Sequence, residues 1–99
     1  MKYEFHPDAL TEFRESAIFY ESQQLGLGNR FVLAVQSAVD HIVAAPRTFR
    51  VMDGEVRRCL TKVFPYAILY TIEDGYILLV AVMHCHREPG YWLHRITPV

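Results

Sequence analysis

The chain has 99 residues, of which 52% are hydrophobic and 21% charged, and a formal net charge of −1 with its histidines neutral. That length suits one domain, spanning residues 1–99, with a modest core, and the composition is not that of a disordered segment. A charge so near zero argues against a protein that lives mainly on phosphate contacts, which tends to be clearly basic. The charge is unevenly spread, however. Acidic residues crowd the first quarter (Glu4, Asp8, Glu12, Glu15, Glu21), and basic ones gather at Arg47, Arg50, Arg57, Arg58 and Lys62, then at Arg87 and Arg95. A local basic face is compatible with the neutral total.

In chain order, MKYEF alternates apolar and polar side chains, as a strand does. Pro7 suits a first helical position, where its missing N–H costs nothing. Leu10, Phe13, Ala17 and Tyr20 follow at helical spacing, with Glu12, Arg14, Glu15 and Glu21 largely off that stripe. Gly26 reads as a C-terminal cap. Asn29 reads as the N-cap of a second helix, whose apolar stripe is Phe31, Val35, Ala38/Val39 and Ile42/Val43 and which stops before Pro46. The two helices form a hairpin.

The period then changes. Val56–Val63 reads as a strand carrying basic residues, and Phe64–Ile72 as a strand rich in aromatic and branched residues. Asp74-Gly75 is a tight-turn pair. Tyr76–Met83 is apolar at every position, which predicts a central strand covered on at least one face by the helices. The order β-α-α-β-β-β predicts an α+β fold, a helical hairpin packed on a small, mostly antiparallel sheet. The face away from the helices is then open to solvent or to a partner.

Cys59 and Cys85, the two cysteines, lack CxxC spacing and read as reduced thiols of a cytoplasmic protein. The start, MKYEFHPD, has no apolar h-region, and the longest apolar run, about eight residues, is too short to span a bilayer. No membrane association is expected. His84 and His86 share a strand face, but a third metal ligand at a defensible spacing is missing, so no metal and no cofactor is expected. Ser16, Ser22 and Ser37 all sit in helix patterns, and Cys85 has its histidine neighbours on the opposite strand face. Neither arrangement favours nucleophilic catalysis. The remaining polar set is Arg57, Arg58, Lys62, Arg87, Tyr91, Trp92 and Arg95. Arginine forks suit phosphates and carboxylates, and Arg57 or Arg58 could share a sheet surface with Arg87.

FPYAILY (64–70) followed by LLVAVMHCHREPGYWLHR (78–95) resembles the second half of the RelE/ParE superfamily of type II toxin–antitoxin toxins, also called plasmid stabilisation proteins. The shared positions are Phe64, Pro65, Tyr66, Ile68 and Tyr70, then Ala81, Val82, His84, Arg87, Pro89, Tyr91, Trp92 and Arg95. Pro7-Asp8-Ala9, Asn29-Arg30-Phe31 and Ala45-Pro46 extend the likeness over nearly the whole chain. The resemblance implies a growth-inhibiting toxin, neutralised by a cognate antitoxin in a hetero-oligomer. ParE-like members inhibit DNA gyrase, RelE-like ones cut mRNA on the ribosome, and others have no known target.

The RelE-like ribonucleases carry an arginine at the position of Ala67, and a second falls at Cys85, whereas their catalytic tyrosine matches Tyr91. If the chain is an endoribonuclease, Tyr91, Arg87 and His84 are its catalytic residues, since acid–base work needs a group in reach with a suitable pKa. The loss at Ala67 favours the gyrase inhibitor. Arg57, Arg58, Lys62, His86, Trp92 and Arg95 are the candidates for contact with target or antitoxin. A non-toxic binding module is the third alternative.

Overall fold

In the computed structural model, which describes residues 1–96, the alternating start is a strand, β1 (Lys2–Phe5). Helix α1 (Pro7–Gln23) begins at Pro7, as predicted, and the His6 ring caps it by accepting the Asp8 N–H at 3.0 Å. Helix α2 covers Leu27–Ala44 and is followed by strands β2 (Val51–Asp53), β3 (Val56–Leu60), β4 (Tyr66–Glu73) and β5 (Tyr76–His84) and a short 3-10 turn at Leu93–Arg95. The fold is α+β, in the order β-α-α-β-β-β-β. The sheet runs β1-β5-β4-β3-β2, with β1 parallel to β5 and every other pair antiparallel.

Helix α2 starts earlier than the sequence suggests. Asn29 lies inside it, and Gly26, with φ of 87°, precedes its first residue. The reason is Glu21 at the end of α1. Its carboxylate accepts the N–H groups of Gly26 (2.9 Å) and Gly28 (3.0 Å), so the first helix caps the second. Gly28 is also where the two helices touch: a Cβ there would sit 2.6 Å from the Ala17 carbonyl oxygen.

β3 ends at Leu60 and β4 begins at Tyr66, narrower than the expected strands. Pro65 cannot donate to a ladder. Around it, Phe64 N–H bonds Lys62 O and Tyr66 N–H bonds Phe64 O, each at 2.8 Å, so the chain turns tightly twice. The additional strand β2 has three exposed residues and no apolar alternation to betray it.

The helix-facing core joins Phe31, Val35, Val39 and Ile42 of α2 to Tyr66, Ile68, Tyr70, Ile77, Leu79 and Val82 of the sheet. The opposite face is neither bare nor waiting for a partner. Val56, Ala67, Leu69, Val80, Ala81 and Met83 lie under Trp92, with Tyr91 and Ile96 beside it. A bulge in β5 explains how one strand serves both layers. Leu69 pairs with Ala81 but Tyr70 with Leu79, so Val80 is the extra residue. Leu79 and Val82 face the helices, whereas Val80 and Ala81 both face the tail. With both faces covered, the unbroken apolar run is what the strand needs.

Gly28→Ala forces α1 and α2 apart at their tightest approach. The expected cost is about 1–3 kcal/mol, read as a lower urea midpoint at unchanged slope; an unchanged midpoint would show that the hairpin absorbs the methyl group.

Candidate functional site

β1 pairs with β5 only as far as Phe5 opposite Leu79, and His6 N–H adds one more bond to Leu79 O. Beyond that point the edge of β5 has lost its neighbour. One side chain on α1, Glu12, fills the gap. Its Oε1 accepts the Val82 N–H at 3.1 Å and Arg95 Nη1 at 2.8 Å; its Oε2 accepts the Tyr91 hydroxyl at 2.6 Å and Arg95 Nη2 at 3.0 Å. Arg95 Nη1 also donates to Val80 O at 3.0 Å. The bidentate ion pair thus continues the interrupted ladder with side chains. It is nearly dry: the Arg95 side chain is 7% exposed and that of Glu12 15%. Asp8 adds a longer contact, 3.7 Å from Arg95 Nε.

This clasp builds a cleft of about 170 Å³ lined by Glu12, Glu15, Ser16, Tyr66, Val82, His84, Arg87 and Tyr91. The Arg87 guanidinium lies 3.9 Å from the centre of the Tyr91 ring, and Arg95 lies 5.1 Å from it. The Tyr66 hydroxyl donates to Ser16 Oγ at 3.0 Å. His84 Nδ1 accepts the His86 N–H at 3.0 Å, which leaves Nε2 as the ring nitrogen that can donate. The His84 ring also packs edge-on to Tyr66, with centroids 5.2 Å apart. Burial, then the hydrogen bond to the Glu12 carboxylate and its charge, push the Tyr91 phenol well above its ordinary value; Arg95 and Arg87 oppose this. Tyr91 is a held hydrogen-bond donor at neutral pH.

Tyr91, Arg87 and His84 therefore meet in one place, with His86 beside them at a ring-centroid distance of 5.1 Å from His84. The other candidates lie elsewhere. Trp92 is 1% exposed and Arg95 is spent on Glu12. Arg57 is opposite Tyr70, midway along β4 and outside the cleft, and donates to Arg47 O (3.1 Å) and Phe49 O (2.8 Å). It braces the loop before β2 and does not share a surface with Arg87. Arg58 points to the other face of β3, and Lys62 lies in a separate groove beside α2. Ala67 is fully buried beneath the tail, and Cys85 is an exposed free thiol. Among the described residues, no group of three or more histidine, cysteine or acidic side chains is placed to hold a metal ion. Nor is any helix there long and apolar enough to cross a membrane.

The model of the ParE toxin of type II toxin–antitoxin systems, parDE, matches residues 3–89. The chain belongs to the ParE toxin family. The matched stretch stops before Tyr91, Trp92 and Arg95, although Glu12, which holds two of them, is inside it. A comparison with curated proteins finds no match. Among solved structures, a chain of the chromosomal ParDE toxin–antitoxin system from P. aeruginosa superposes with a TM-score of 0.62 at 13% identity, covering 85% of this chain and 95% of that one. At that identity the likeness is one of fold.

Two outcomes follow from the clasp. Glu12→Gln keeps the shape but leaves the Arg95 charge in a dry site with only the longer contact to Asp8. The expected loss is roughly 3–5 kcal/mol, accompanied by a red shift in the emission of the single tryptophan, Trp92; unchanged stability and emission would mean the tail does not depend on Glu12. At high pH, Tyr70 and Tyr91 matter. Burial raises Tyr70 to about 12, and its hydroxyl donates to Pro46 O at 2.6 Å. Both tyrosines are harder to ionise folded than unfolded, so their stabilisation is complete below about pH 10 and is lost as pH climbs through the folded-state values. A spectrophotometric titration should show these two ionising last, together with unfolding. Early, reversible ionisation of every tyrosine would contradict the geometry.

Proposed function

We propose that this ParE-family protein is the toxin of a type II pair, acts in the cytoplasm by binding DNA gyrase, and is neutralised by a cognate antitoxin in a hetero-oligomeric complex. The observation that carries the target choice is the state of Tyr91. A ribonuclease of the RelE-like kind needs a free phenol beside the scissile phosphate. Here the phenol donates to a carboxylate at 2.6 Å and is pushed up in pKa. Two carboxylates, Glu12 and Glu15, also line the cleft and disfavour a phosphate backbone. Ala67, fully buried, offers no cation where that chemistry would place one. The family match and the likeness to a chain of a ParDE system support an antitoxin partner.

One observation favours the second reading, a ribosome-dependent mRNA endonuclease: His84, Arg87 and Tyr91 do share a cleft. An acid, a base and a phosphate-binding cation in reach of one another are the minimum for such cleavage.

Tyr91→Phe separates the two. It removes one hydrogen bond to a charged acceptor, at a cost of about 1.5–3 kcal/mol, and keeps the ring under Arg87. For a gyrase inhibitor, the folded variant should inhibit supercoiling within a few-fold of the parent protein. For an endonuclease, transcript cleavage by the parent would fall by a factor of about 100 or more in the variant. Parent protein that leaves supercoiling untouched at large excess would overturn the gyrase reading.

A further inference from the structure

The arginines around β2 and β3 take no part in the cleft. Residues 47–62 carry five basic side chains against two acidic ones, and residues 1–21 carry the reverse, two against five. The fold keeps the two sets apart. The acidic set lies on β1 and α1, and α1 packs on β5 and β1. The sheet order β1-β5-β4-β3-β2 puts Arg47, Arg50, Arg57 and Arg58 at the opposite edge. A nearly neutral chain is thus polarised across its sheet, with a basic margin whose field acts locally.

Two details make this margin more than a solvated surface. None of the four arginines forms an ion pair among the described residues, although Asp53 and Glu55 sit in the same hairpin. In addition, two of them face each other. Val51 pairs with Arg57, and the Arg58 N–H donates to Arg50 O at 3.1 Å, so Arg50 stands directly across from Arg58 on one face of the sheet. Like charges in that position destabilise a strand pair. A single charge is enough to guard an edge strand against unwanted pairing. The facing pair adds a cost that an anion between the two guanidinium groups relieves. On the other face Arg57 is anchored. Its Nη1 donates to Arg47 O and Phe49 O, which holds the guanidinium against the loop that carries Arg47. Cations therefore flank β2 on both sides.

The same region lacks what a reader of unpaired bases needs. Single strands are held by stacking on exposed aromatic rings. Here Phe49 packs edge-on to Tyr70, which is fully buried. Tyr3 and Phe19, the aromatic members of the exposed large side chains, are on β1 and α1. Cations without a stacking platform suit a duplex, whose bases are already stacked and whose outer surface is phosphate.

We infer that this edge binds the phosphate backbone of duplex DNA through Arg47, Arg50 and Arg58. The inference rests on the gyrase reading above for its setting, since an inhibitor seated on gyrase is held beside duplex DNA. Phosphate contacts carry no sequence information of their own, so the binding is indifferent to sequence and strongly weakened by salt.

The test is titration of the full chain into a short labelled DNA duplex at several salt concentrations. Three contacts, at about −0.9 each, give a slope of about −2.7 in log affinity against log salt. In Arg50→Gln/Arg58→Gln the slope should flatten to about −0.9, and in Arg47→Gln to about −1.8. The double variant should be at least as stable to urea as the parent, because it removes the facing charges. Arg14→Gln/Arg30→Gln, which changes net charge equally on the helices, should keep the parent slope. Equal weakening in that control, or parent-like slopes in both folded edge variants, overturns the assignment. So does tighter binding to single-stranded RNA than to the duplex. Supercoiling inhibition by a parent protein that shows no arginine-dependent duplex binding removes the DNA edge and keeps the gyrase reading. Duplex binding with the expected slopes, by a protein that leaves supercoiling untouched, removes the gyrase reading and upholds the edge.

Discussion

Where β1 stops, the edge of β5 is left open, and the carboxylate of Glu12 closes it. That one group receives a backbone N–H from β5, a phenol and both arms of a guanidinium, while the guanidinium returns a bond to the β5 backbone two residues earlier. The remaining architecture hangs on this knot. It fixes the rotation of α1, because only one face of the helix can present Glu12 to the sheet edge. It fixes the register of the tail, because Tyr91 and Arg95 must arrive together. It also sits at the bulge, where β5 changes the side on which its residues point. A buried ion pair is seldom a large net source of stability, since desolvating both charges offsets much of their attraction. Its stronger effect here is on uniqueness: any other seating of the tail strands a charge in an apolar layer.

That seating turns a two-layer domain into a three-layer one. Trp92 covers the sheet face that the helices leave free, and a chain of 99 residues gains a second apolar cluster it could not otherwise close. The arrangement limits where function can reside. With both sheet faces spent on packing, recognition falls to the edges, to the cleft at the clasp and to the groove beside α2. Tyr91 shows the consequence. The burial and the hydrogen bond that lock the tail also hold the phenol protonated, so structural and chemical demands on this residue oppose each other.

Much of this architecture can be read along the chain. The alternation in MKYEF, Pro7 at the head of α1, the apolar stripe of α2 and Asp74-Gly75 each carry a local signal, and each marks its element correctly. The elements that escape are those whose cause is not local. α2 starts at Leu27 because a carboxylate on the preceding helix caps it, which no inspection of residues 27–29 reveals. β2 exists by pairing with β3 and has no pattern of its own. Period-2 reasoning on β5 fails at Val80, because a bulge is a property of the pair of strands. Glu12 is the clearest case. It looks like one more acidic residue beside an apolar stripe, and its partners Tyr91 and Arg95 lie 79 and 83 positions away. Tyr91, His84 and Arg87 could be singled out because a family pattern names them; Glu12 carries no such mark.

The cleft and the α2 groove are separate concavities with no lining residue in common, yet one residue of the cleft is bonded to the wall of the groove. Tyr66 begins β4, and its backbone carbonyl and N–H are both engaged by the loop at Thr61 and Phe64, which is strained at Val63, with φ of 73°. Its ring packs on Phe31 and on His84, at centroid distances of 4.8 and 5.2 Å, and its hydroxyl reaches Ser16 in the cleft. A residue held by hydrogen bonds at one end and by close-packed rings at the other has little freedom to move alone. Any partner that displaced Val63 and Phe64 would therefore press on Tyr66, and through it on His84 and the mouth of the cleft. Packing of this kind is the physical precondition for one surface to sense the other. It lies between the most strained turn of the fold and its most tightly bonded knot, so a rearrangement would begin at the turn and be resisted at the knot.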